Sequence, residues 1–152
     1  MKPKIFISFS TKDILFCTDF MKKLSSNHYD FWYQEEINIG EEYKKIIKQN
    51  IQSSVASILL LSNNFLNSEF ITDQELPWIY EKDKTSMIYE VFPVQIENCN
   101  WESIDYLKNK QVYPSRRNSL DLNDNIQVNT VSEQIYKYFK NAGYIQKKGW
   151  FR

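Results

Sequence analysis

The chain has 152 residues, 42% of them hydrophobic and 16% aromatic, enough for one globular domain with a sizeable core and cramped for two. Its 19 basic side chains balance 19 acidic ones, so no whole-molecule field draws the protein to nucleic acid or to a membrane surface. Cys17 and Cys99 stand far apart without metal-type spacing, which fits a reducing compartment and two small buried thiols better than a disulfide-stapled domain. Met1-Lys2-Pro3-Lys4 runs straight into a short apolar stretch, well below the length of a signal-peptide core or a membrane span, and a cytoplasmic location is expected.

Ile5-Phe6-Ile7-Ser8-Phe9 is β-branched and aromatic and stops at Ser10-Thr11-Lys12-Asp13, the pattern of a strand ending in a polar loop. Leu15, Phe16, Phe20, Met21 and Leu24 then recur at helical spacing. A short second strand is expected over Asp30 to Tyr33. A polar stretch ending in Gly40 leads to Tyr43, Ile46, Ile47, Asn50 and Ile51, the inward stripe of a second helix. Val55 to Leu61 is apolar almost throughout, as in a central strand buried on both faces.

The next helical region reaches about Lys82 and is interrupted by Pro77, which prefers a first turn, so its stable part is expected to begin near Thr72 to Gln74. Met87 to Ile96 reads as a fourth strand, Gln111-Val112-Tyr113 as a short fifth, and Val131 to Ala142 as a closing helix. Asn98 to Asp124 is long and irregular. Strand and helix alternate, which argues for a parallel α/β sheet covered on both faces. The tail from Gly143 to Arg152 ends in Gly-Trp-Phe-Arg, which either packs back or leads into a second module.

Several chemistries are disfavoured. His28 and two distant cysteines do not assemble an ordinary zinc site, and no metal is expected. His28 sits in the polar turn Ser26-Asn27-His28, where a solvated loop residue is expected rather than a catalytic base. Neither G-x-G-x-x-G nor G-x-x-x-x-G-K-[ST] occurs, so a Rossmann loop and a P-loop are both absent.

In an open parallel sheet the crevice lies beyond the carboxyl ends of the strands, where strand order reverses. For the order 2-1-3-4-5 this brings together Phe9 to Asp13 and the segment Ser62 to Glu75, which carries Glu69, Asp73 and Glu75. Ile5 to Asp13, Phe31-Trp32-Tyr33 with Gly40, Ile58 to Ser62, Ser68 to Leu76, and Phe92 to Ile96 with Cys99-Asn100-Trp101 occur in a distinctive order and spacing. Together they resemble a TIR (Toll/interleukin receptor) domain of bacterial type over nearly the whole chain.

That resemblance implies a flavodoxin-like three-layer α/β sandwich with a five-stranded parallel sheet in the order 2-1-3-4-5, a domain over residues 1–142 and a tail over 143–152. It implies NAD+ as substrate rather than cofactor, cleaved at the nicotinamide-ribose bond by a glycohydrolase or cyclase that works in bacterial antiphage immunity or signalling. Glu75 matches the family's catalytic glutamate. Phe9, Ser10 and Thr11 match the strand end that lines the nucleotide pocket, and Phe70 replaces the aromatic that packs on the ligand. Trp32, also expected to bind substrate, lies at the mouth of the BB loop, which ends in Gly40 and through which TIR domains touch. The partners implied are NAD+, other TIR domains and a fused or associated sensor or effector module, with no direct nucleic acid and no membrane. Gln34 stands where an acidic residue is often found, and the gap from Ser68 to Glu75 is one residue longer than in animal and plant members.

One carboxylate suffices for this reaction. Glycosidases pair two because the leaving oxygen must be protonated, whereas nicotinamide departs from a cationic pyridinium as a neutral ring. What remains is to stabilise the positive charge growing on the ribose, which a carboxylate in a water-poor pocket does electrostatically. Two other readings stay open. Thr72-Asp73-Gln74-Glu75 also fits a capping box in which the glutamate only reaches back to a backbone N–H, and a TIR domain can serve solely as a scaffold that binds other TIR domains.

Overall fold

A computed structural model describes residues 2–34 and 40–145, with Glu41 in backbone only. Four parallel strands, β1 (Lys4–Ser8), β2 (Asp30–Trp32), β3 (Ala56–Leu61) and β4 (Glu90–Gln95), form a sheet in the order β2-β1-β3-β4. In β1, Ile5 and Ile7 face one layer and Phe6 faces the other, the alternation that strand geometry requires. The first layer is closed by α1 (Ile14–Leu24) and α5 (Asn125–Asn141), the second by α2 (Glu41–Ser53), the short α3 (Asn63–Leu66) and α4 (Leu76–Thr85). This is the parallel α/β sheet covered on both faces that the alternation of elements predicts, in the flavodoxin-like three-layer arrangement that the resemblance implies.

Several boundaries differ from the sequence reading. The fifth strand shrinks to one parallel bridge between Val94 and Tyr113, because Pro114 follows directly and has no N–H with which to continue a ladder. The fourth strand starts at Glu90 rather than Met87, since Met87 and Ile88 are exposed in the preceding turn. The closing helix begins six residues earlier than expected, at Asn125, where the Asp124 carboxylate accepts from the N–H groups of Ile126 and Gln127 at 3.0 and 3.2 Å. Asp124→Ala is expected to cost about 1 kcal/mol in urea unfolding, the usual worth of an N-cap, and an unchanged midpoint would count against the cap. Cys17 is buried as expected, but Cys99 is only half-buried, on the edge of the second layer.

The irregular stretch after β4 is anchored rather than loose. Two 3-10 turns, Trp101–Ser103 and Asp105–Leu107, put Trp101 and Leu107 into the second layer, and Leu120 plugs the first. His28 is exposed, in keeping with a solvated turn. The expected contacts of the BB loop at 35–39 and of Trp150 in the tail lie outside the described residues. Among the described residues, no helix is long and apolar enough to cross a membrane.

Candidate active site

The helix carrying Glu75 starts earlier than Pro77 suggested. Helical backbone begins at Glu69, and the Ser68 hydroxyl accepts from the Ile71 N–H at 3.3 Å. Residues Ile71–Glu75 then form a single π-turn in which Leu76 N–H donates to the Ile71 carbonyl. An unbroken α-helix would press the Pro77 ring against the Asp73 carbonyl and leave that oxygen without its donor. The wider turn relieves the clash, and such bulges re-aim side chains at functional sites.

Glu75 is turned inward and is only 6% exposed, whereas Glu69 and Asp73 on the same segment are exposed. Its Oε1 accepts a 2.8 Å hydrogen bond from the Ser8 hydroxyl, which is fully buried at the carboxyl end of β1 on the Phe6 side of the sheet. The capping-box alternative therefore fails, because the Thr72 N–H donates to the Ser68 carbonyl and Glu75 is committed to another element. Burial pushes the Glu75 carboxyl up to about 7, against the Ser8 hydrogen bond, which pulls it down. Burial, and after it Glu75, raises the Tyr43 phenol as well.

A cleft of about 310 Å³ opens at this point, lined by Phe9, Ser10, Thr11, Tyr43, Lys44 and Phe70 with Glu75 among them. It lies beyond the carboxyl ends of β1 and β3, the switch point where the strand order reverses. Asp13 ties the loop after β1 to the start of α3, accepting from Ser62 Oγ at 2.6 Å and from Asn64 Nδ2 at 2.9 Å. Gly40 closes the rim with φ of 118°, in the left-handed region that favours glycine. Ser10 is partly engaged, its Oγ accepting from Lys12 N–H at 3.3 Å. Phe70 is held by Tyr43 and Trp78, with ring centroids 5.4 and 6.2 Å away.

Five of the six expected site residues thus share one cleft. Trp32 does not line it. Its ring stacks on Phe6 at 5.5 Å, and it borders instead a recess of about 20 Å³ that reaches Glu75 from the β2 side. Ser8, Tyr43 and Lys44 are the additions that sequence reading missed. Ser8 was open to discovery, since it shares the parity of Phe6 and so faces the helix layer that carries Glu75.

The sequence matches the family model of the TIR domain over residues 5–144. The chain belongs to the TIR domain family. No curated protein matches it significantly. In this TIR domain the carboxylate at position 75 is desolvated, hydrogen-bonded and beside a cavity, an arrangement that favours a cationic ligand over a neutral one because burial penalises the unpaired negative charge.

Proposed function

We propose that this TIR domain is an NAD+ nucleosidase that cleaves the nicotinamide-ribose bond when domains self-associate, as part of bacterial antiphage immunity or signalling. The single observation that carries the reading is the buried Glu75 carboxylate at the floor of the cleft. A cationic pyridinium entering that space favours the ionised carboxylate, so substrate binding itself draws off the proton that burial retains. The C1′–N bond then breaks with both electrons leaving on the ring nitrogen, nicotinamide departs neutral, and the carboxylate faces the oxocarbenium charge left on the ribose. Water adding at C1′ and losing a proton gives ADP-ribose. Attack by an adenine nitrogen gives a cyclic isomer.

Phe9 and Phe70 supply flat apolar walls for the departing ring, and Ser10 and Thr11 supply hydroxyls for ribose or phosphate oxygens. By the family resemblance the BB loop, with Trp32 at its mouth, meets a second domain, which would complete the site and make activity depend on assembly. The rival role is a scaffold that only binds other TIR domains. Nicotinamide release should rise more steeply than linearly with protein concentration or crowding. Its kcat/KM should increase from pH 5.5 to 8 around a midpoint near 7, because the active carboxylate is the deprotonated form. No release from assembled protein at any pH would leave the scaffold role in its place.

A further inference from the structure

Glu75 has two carboxylate oxygens with different surroundings. Oε1 lies 2.8 Å from Ser8 Oγ. Among the described residues no hydrogen bond is made to Oε2, and Glu75 lines the cleft. Ser8 cannot serve solvent or substrate directly, because it is fully buried, and β1 fixes its backbone by pairing Ser8 with Leu59 in the centre of the sheet. The hydroxyl therefore comes from a rigid element and meets a carboxylate carried by a helix across the layer.

We propose that Ser8 is a positioning residue that clamps Oε1 of Glu75 and thereby aims Oε2 at the reacting ribose. The inference rests on the reading of Glu75 as the carboxylate that faces the substrate. A buried carboxylate without a donor pivots about its last torsion and holds its proton more firmly; a hydroxyl donor at one oxygen opposes both effects. The other titratable groups that line the cleft, Tyr43 and Lys44, come from α2 and approach Glu75 from across that space. From the loop after β1 come the uncharged Phe9, Ser10 and Thr11. From the sheet side the Ser8 hydroxyl donates to the carboxylate.

Two variants, Ser8→Ala and Ser8→Thr, test this by steady-state nicotinamide release across pH and by carbon NMR titration of the Glu75 carboxyl in glutamate-labelled protein. Ser8→Ala should raise the carboxyl midpoint by about one to two pH units, the worth of a hydrogen bond to a charged group. At pH 7 it should lower kcat/KM by about tenfold or more, with much of the loss recovered at alkaline pH. Ser8→Thr, which keeps the hydroxyl, should restore the native midpoint. An unmoved midpoint in Ser8→Ala, or native activity at every pH, would overturn the proposal and leave Ser8 a packing residue. If assembled native protein releases no nicotinamide, the catalytic reading fails separately, and the NMR midpoint still decides whether Ser8 holds the carboxylate.

Discussion

Glu75→Gln is expected to slow nicotinamide release by about a hundredfold or more, the usual loss when a preorganised electrostatic group is removed, and at the same time to stabilise the fold above pH 7. The amide keeps the shape of the side chain and an oxygen that can accept from Ser8, so the substitution removes charge and little else. In the native chain the folded carboxyl holds its proton to about 7 while the unfolded one releases it near 4.5. Between those values the folded state binds more protons, so native stability falls as pH rises and the full penalty is present above pH 7. A shift of that size corresponds to about 3 kcal/mol. Urea titrations of both proteins should therefore coincide near pH 4.5 and separate progressively up to pH 8, with the variant the more stable. Equal nicotinamide release from the two proteins would remove Glu75 from the mechanism. A variant no more stable than the native chain at pH 8 would show that the buried charge carries no penalty. A gain in stability joined to a loss of activity is the signature of a site held in the fold against its preference.

Trp101→Ala should cost about 3–5 kcal/mol, the largest purely structural effect expected in the chain. Trp101 is 1% exposed in the second layer and shares its cluster with Leu107 and Val112. Truncation leaves a large void in the only anchor that the turn Trp101–Ser103 contributes to the core among the described residues. Arg116, whose guanidinium lies 4.8 Å from the same indole ring and 3.6 Å from Glu102, offers the contrast. It is an exposed partner, so Arg116→Ala should cost no more than about 1 kcal/mol. Guanidinium unfolding of the two variants separates core packing from surface decoration, and comparable small losses would mean that the stretch after β4 is held by something other than Trp101.

Glu75 shows how far a linear pattern reaches. Apolar alternation in Ile5 to Phe9 and the unbroken apolar run into Leu61 are local properties of side chains, so they predict two strands and their faces without knowledge of the rest of the chain. Helical spacing on α1 and α2 is local in the same sense, and with it came the layered sheet, whose strand order puts the crevice at Phe9 to Asp13 and Ser62 to Glu75. The family resemblance added Glu75, Phe9, Ser10, Thr11 and Phe70, residues that the fold does bring to one cleft.

The sequence by itself thus determined the element order, the parallel sheet, the end of the sheet at which a site would form and the family. The tertiary structure alone decided between Glu75 as a helix cap and Glu75 as a buried acid, because the choice depends on Ser8, 67 positions away in the chain. It also decided that Trp32 stacks on Phe6 outside the main cleft, that the fifth strand is a single bridge, and that a π-turn, rather than a new helix start, accommodates Pro77. Each of these depends on which distant groups satisfy a backbone or side-chain polar atom, and hydrogen-bond partners across layers leave no period in the sequence.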